Sequence, residues 1–207
     1  RYVREEDNEF VIGAMATQGD VERFEPLQTF CGGAVVRGVK EILGVQFRNM
    51  ATMGGSVASK FGFSDIIPAL LAVHADIVTY KGGRMSMQEY MNYREKDILV
   101  EIRIPNHEVP VAIEALRISR GDFPYLTGSI RHDDTGYKIY IGTRPGAPQL
   151  AVKASALLSE KGLAALDEAA QIASEELVFQ KNSHASKEYR VEMAKSMVRR
   201  LVEEVAQ

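Results

Sequence analysis

What most limits the folds open to this chain is a change of period along it. Up to about residue 144 short runs of strand-like alternation are mixed with short helical stretches; from Pro145 onward the apolar residues recur at helical spacing alone. The opening "RYVREEDNEFVIGAMAT" reads as two short strands joined by a polar turn, with Phe10, Val11 and Ile12 in the second. "TQGDVERFEPLQTF" and "GAVVRGVKEILG" carry helical periodicity, the latter stopping at Gly44. Ser64 is a plausible N-cap for "DIIPALLAVHA", where Pro68 falls in the first turn. "DIVTYKGGRMSM" predicts a hairpin turning at Gly82-Gly83, and Ser86 with Glu89 fits a capping box. "DILVEIRIP", "VAIEALRISR", "YLTGSIRHD" and "GYKIYIGT" predict strands, the last two joined by "DDTG". After Pro145 come two helical segments and the amphipathic "SKEYRVEMAKSMVRRLVEEVAQ", with Val191, Ala194, Val198, Leu201 and Val205 on one face. The class is α+β, with a soft boundary that gives units 1–109 and 110–207: a mixed lobe, then a three-stranded antiparallel sheet covered by helices.

With 207 residues, 45% of them hydrophobic, the chain is long enough for a sizeable core. The net charge of −3 and scattered basic residues argue against a nucleic-acid surface. No apolar run reaches membrane-spanning length, no signal peptide is visible, and a cytoplasmic setting is expected. A single cysteine, Cys31, leaves no pair for a disulfide and too few thiolates for an iron–sulfur cluster within these residues. It reads as a small buried residue. His74, His107, His132 and His184 share no metal-ligand spacing. His74 is expected at a helix end and His132 beside a hairpin turn in solvent. The chain starts at Arg1 without a methionine and reads there like the middle of a longer protein.

One stretch asks for a chemical reason: "RNMATMGGSVASKFGFSDIIPALLAVHA", Arg48 to Ala75. Glycine is costly to order, and a lone Gly-Gly is most often a tight turn. Gly54-Gly55 differs from Gly82-Gly83 in being flanked by the hydroxyls of Thr52 and Ser56, so that successive amides could form an anion-binding nest. Neither a Walker lysine loop nor a Rossmann G-x-G-x-x-G is present. Asp65 reads either as a first-turn acid or as a ribose hydroxyl acceptor.

The composite of R-N-x-A-T-x-G-G-[NS] followed by S-D-x-x-P resembles the second FAD-contacting lobe of the flavin subunits of molybdopterin-dependent hydroxylases, the xanthine dehydrogenase and aerobic carbon monoxide dehydrogenase family. "DIVTYKGGRMSMQEYM", "DILVEIRIP", "LRISRGDFPYLTGSI" and the S-x-x-Y-R opening of the last helix are similar to further family segments, so the resemblance covers essentially the whole chain. It implies an FAD-binding lobe of the vanillyl-alcohol-oxidase type followed by the C-terminal sheet and helices. By the same resemblance Thr52, Met53, Gly54, Gly55 and Ser56 would lie against the flavin and its diphosphate, and Asp65 would bind the ribityl or ribose region. Leu99 would pack near the ring system. Arg117 would stand where the family often has a lysine, and Ile42 where some members stack an aromatic. Tyr125 is a further aromatic on the expected flavin side.

Two departures stand out. "RISRGDF" is shorter than the family's basic hairpin, and the family's first FAD lobe, with its A-G-G-[TQ] loop, would precede Arg1. The resemblance implies an electron-transfer subunit without a covalent catalyst or metal of its own. Molybdopterin and 2Fe-2S clusters would sit on a large and a small partner subunit, with FAD here passing electrons to NAD or another acceptor. Two rivals remain: a non-catalytic assembly or nucleotide-binding module with the same fold, and a flavoenzyme of cell-wall precursor reduction, whose serine and glutamate arrangement is not found. Valine at Gly54 or Gly55 is expected to block FAD while leaving the fold intact.

Overall fold

The computed structural model describes residues 1–207. The first two strands, β1 (Val3–Glu6) and β2 (Glu9–Gly13), form the expected hairpin, with Asp7 and Asn8 supplying the left-handed turn. Short helices follow: α1 (Gln18–Arg23), α2 (Ala34–Lys40), α3 (Val45–Arg48), α4 (Met53–Ala58) and α5 (Ile66–Ala72). β3 (Asp76–Thr79) and β4 (Gly83–Ser86) are the second hairpin, turning at Gly82-Gly83 as anticipated. α6 (Met87–Asn92) opens with the Ser86–Glu89 capping box, both of its reciprocal bonds made. β5 (Leu99–Pro105) then inserts between the hairpins, giving an antiparallel sheet of order β1-β2-β5-β3-β4.

Its inner face carries Phe10, Ile12, Ile77, Ile102 and Ile104, which pack with α2, α4 and α5 into one apolar cluster. A register shift against β3, between Val78 and Thr79, breaks the alternation of Ile102 and Ile104 and decides the fate of Leu99. It faces this core and is buried, while its neighbour Val100 turns outward and is partly exposed.

The second sheet is antiparallel in sequence order: β6 (Val111–Leu116), β7 (Leu126–Asp133), β8 (Gly136–Gly142) and β9 (Gln149–Leu150). It has four strands where three were expected, because "APQL" adds an edge pairing to Tyr140 and Ile141 before the helices begin. Helices α7 (Val152–Lys161), α8 (Leu166–Glu176) and α9 (Lys187–Val205) form a second apolar cluster on one face. The other face of β7 and β8 is closed by α5, with Ser129 Oγ donating to the Pro68 carbonyl at 2.7 Å. Burial on both sides explains why six consecutive residues of β7, Leu126–Arg131, are buried.

Two buried arginines stiffen this half without a carboxylate partner. Arg190, from the S-x-x-Y-R segment, donates to the carbonyls of Tyr125, Gln180 and Ala185 and to Asn182 Oδ1. Arg144 donates to Ile141, Val178 and Ala147 carbonyls and to Gln149. Cys31 is buried, and burial pushes its thiol up to about 11, so it is inert as expected. His74 follows α5 in a left-handed turn and bonds Asp133 across to the second sheet at 2.9 Å. His132 is not free in solvent: its ring stacks on Tyr137 at 4.0 Å.

Candidate functional site

A cleft of about 620 Å³ opens between the α2–α5 region and the loop after β6. Thr52, Gly55 and Ser56 line it, as do Asp65, Arg117 and Ile42. Six of the nine residues singled out from the sequence therefore meet at one place. The other three do not reach it: Met53, Gly54 and Leu99 are buried in the core cluster or beside it.

The Gly-Gly segment is not a turn. It is the first turn of α4, with Thr52 as N-cap. A threonine N-cap and a tight turn share the same residue types, which is why the sequence alone did not separate them. The anion nest is not formed either, because every amide at this helix start already has an acceptor. Met53 N–H donates to the Ala16 carbonyl and Gly54 N–H to the Ala14 carbonyl, both at 2.8 Å. Gly55 N–H donates to Thr52 Oγ1 at 3.1 Å, and Ser56 N–H to the Thr52 carbonyl.

The two glycines serve different ends. A Cβ on Gly54 would stand 2.7 Å from both the Cβ and the carbonyl oxygen of Ala14, so its bareness lets α4 rest on the end of β2. Gly55 is exposed, its nearest neighbour being the Thr52 hydroxyl at 3.0 Å, and only it presents bare backbone to the cleft.

Asp65 and Arg117 approach from the two halves and pair with each other. Arg117 Nη2 lies 2.5 Å from Asp65 Oδ1, and both side chains are more than nine-tenths buried. Arg117 Nε also donates to the Asp122 carbonyl at 3.1 Å, bracing the short "RISRGDF" loop. Burial pushes the Asp65 carboxyl up to about 6, against the pull of Arg117. Tyr125 stays out of the cleft, its hydroxyl 3.2 Å from that of Tyr189; Phe123, two residues earlier, is the aromatic that lines the wall.

Several lining residues escaped the sequence reading. Gln18 is buried, and its Nε2 donates to Ser56 Oγ at 3.0 Å. Because the Ser56 hydroxyl donates to the Thr52 carbonyl, it can only accept from Gln18, which fixes the amide orientation. Gln18 Oε1 is left as a buried acceptor without a hydrogen bond, whereas Asp65 Oδ1 is occupied by the guanidinium of Arg117. Phe61 and Phe63 complete the wall. Arg48 of the R-N motif is buried and structural: it pairs with Glu22 at 2.8 Å and donates to the carbonyls of Ile42 and Leu43, fixing the cleft's edge.

These groups divide the demands of a flavin nucleotide. Apolar walls suit a flat ring, and the unpartnered Gln18 Oε1 suits a hydroxyl of a ribityl or ribose chain. A diphosphate finds little here. The lining carboxylates Glu41, Asp65 and Asp122 face one guanidinium, which is already paired, and no α4 amide is free. The residues present thus fit the ring and polyol portions of FAD, not its anionic bridge.

Residues 1–107 match the family described as FAD binding domain in molybdopterin dehydrogenase, and residues 113–205 match the CO dehydrogenase flavoprotein C-terminal domain. Escherichia coli K12 YgfM, an uncharacterized protein, is 25% identical over 118 residues, covering 56% of this chain. Those residues are 46% of YgfM, so the chain spans about half the length of the curated relatives it matches. Among solved structures, carbon monoxide dehydrogenase from Hydrogenophaga pseudoflava superposes with a TM-score of 0.87 at 25% identity, over 99% of this chain and 77% of that one. Quinoline 2-oxidoreductase from Pseudomonas putida 86 gives 0.86 at 18% identity, over 99% and 78%, a likeness of fold alone. By both halves of its sequence the chain belongs to the molybdopterin dehydrogenase FAD-binding family and carries that family's flavoprotein C-terminal domain.

Proposed function

We propose that this chain is part of the FAD-holding electron-transfer subunit of a molybdenum hydroxylase complex, working in the cytoplasm. The observation that carries the reading is the convergence of Thr52, Gly55, Ser56, Asp65, Arg117 and Ile42 on one cleft, beside the unpaired buried acceptor Gln18 Oε1. When bound, FAD supplies the means to take electrons from iron–sulfur centres of a small subunit, fed by a molybdopterin subunit, and to pass them to NAD or another acceptor.

This chain's own residues bind and orient. Gly55 leaves room for the ligand to approach the α4 backbone, and Thr52 keeps a hydroxyl proton for it, since its oxygen only accepts within the protein. Gln18 and Asp65 accept from ligand hydroxyls. Arg117 holds the carboxylate of Asp65 in place across the boundary between residues 109 and 110. The diphosphate falls to an A-G-G-[TQ] loop of the kind the family carries, a motif absent from these residues.

The engaged amides of α4 favour one alternative, a module of the same fold that holds no FAD. The complete gene product decides between them. Flavin absorption, with FAD released on heating and copurification of a cysteine-rich and a molybdenum subunit, is the expected result. Colourless protein indifferent to added FAD overturns it.

A further inference from the structure

A flavin nucleotide is an anion, and the cleft is not built for one. Its lining carries three carboxylates, Glu41, Asp65 and Asp122, against the single guanidinium of Arg117, which Asp65 already holds at 2.5 Å. Arg48, at the cleft's edge, is spent on Glu22. Phosphate binding draws its strength from charge-assisted donors, and the amides at the start of α4 are all engaged within the chain. The side-chain donors left on the wall are uncharged. Thr52 Oγ1 and Ser64 Oγ each accept from a backbone amide and keep a hydroxyl proton.

Gln18 sharpens this preference. Its side chain lines the cleft although the residue is only 2% exposed. The relay from Gln18 Nε2 to Ser56 Oγ, and from that hydroxyl to the Thr52 carbonyl, spends the amide's donor side inside the chain. Oε1 is left buried with no donor of its own. Such an atom costs free energy until an N–H or O–H reaches it, and a phosphate oxygen placed against it only sets lone pair against lone pair.

We propose that this cleft selects the uncharged nucleoside part of its ligand, a flat heteroaromatic ring bearing a hydroxylated chain, over that part's phosphate esters, with Gln18 reading a donor on the ligand. The inference rests on the flavin reading above and divides the labour within it: these residues gain affinity from ring and hydroxyls and lose it to phosphate. The loss is Coulombic, since a phosphate monoester brings further negative charge to a lining already richer in carboxylates than in guanidinium. Riboflavin and adenosine share the favoured chemistry.

The test compares riboflavin with FMN, and adenosine with AMP, for binding to the 207-residue chain by calorimetry. In low salt the nucleoside should bind about tenfold tighter than its phosphate ester, and the gap should narrow as salt is added. A preference seen in the riboflavin pair assigns the isoalloxazine end to the cleft; one seen in the adenosine pair assigns the adenine end. Glu41→Gln/Asp122→Asn, at two exposed positions, should close the gap while nucleoside affinity stays within about threefold of wild type. Gln18→Met keeps the length of the side chain without its polar atoms, and should weaken the nucleoside about tenfold with the gap preserved. The inference is overturned, and the flavin reading left intact, by a phosphate ester bound as tightly as its nucleoside, by neither nucleoside binding, by a gap untouched in the Glu41/Asp122 variant, or by full nucleoside affinity in Gln18→Met. A complete gene product that takes up no FAD, beside a chain that still prefers nucleosides, overturns the flavin reading alone.

Discussion

The outer face of the first sheet and the mouth of the cleft both meet solvent, yet they are made of opposite chemistry. On the sheet, Arg84 pairs with Asp76 at 2.7 Å and with Glu9, Arg103 pairs with Glu9 at 3.1 Å and Glu101 at 2.9 Å, and Tyr2 closes the row on Glu101. Each charge there has its opposite within the chain. The cleft mouth instead exposes Leu43, Phe47, Met50 and the three phenylalanines, over the buried acceptor Gln18 Oε1 that lacks a donor. A surface satisfied by itself calls for no ligand; an uncovered apolar rim above an unpaired polar atom does.

The sharpest way to break this contrast separates the two adjacent glycines. Gly54→Val forces a side chain into Ala14 and should cost about 3 kcal/mol of stability, read as a large fall in the thermal midpoint. Gly55→Val should leave that midpoint nearly unchanged while FAD affinity falls about a hundredfold, roughly 2.7 kcal/mol, in a titration of the complete protein. Equal loss of stability in both variants would mean that Gly55 too is only structural.

Asp65 gives an effect of intermediate size. Its carboxyl is raised from 3.8 to about 6 by burial, so the folded state binds a proton that the unfolded state has released between those pH values. Stability from this group is therefore greatest below pH 3.8 and is lost as pH rises toward 6. Asp65→Asn lacks that loss. Its stability relative to wild type should rise by about 2 kcal/mol between pH 3.5 and 7, measured by denaturant titration at each pH. A flat difference would mean that the pull of Arg117 cancels the cost of burying Asp65. The smallest effect belongs to the sheet: Arg84→Ala, at a half-exposed ion pair, should change stability by less than about 1 kcal/mol, less still in high salt, and leave flavin binding untouched.

How legible the site was depended on the distance over which each reason acts. The Ser86–Glu89 capping box and the Gly82-Gly83 hairpin are local, and both were read from neighbouring residues. Gly54-Gly55 was misread as an anion nest because its true partner, the Ala14 carbonyl, lies at the far end of β2 and leaves no mark beside it. Leu99 was carried over by resemblance, and its inward turn was not legible, because plain alternation with Ile102 and Ile104 puts Val100 inside and only the register shift against β3 reverses it. Arg48 was quoted as part of a motif, and its role as a brace for the cleft's edge needed Glu22 from another helix.

From its residues alone the chain declared an α+β class, its hairpins and its capping box, because periodicity and capping are written within a few residues of one another, while the positions expected at the cleft came from the family resemblance and six of the nine line it. Only the tertiary structure decided which glycine bears on the fold and which faces the cleft, that Asp65 and Arg117 join to each other, and that three phenylalanines from two loops pack together at its wall. Those outcomes depend on contacts between segments far apart in the chain, where close packing rather than local preference selects the partner.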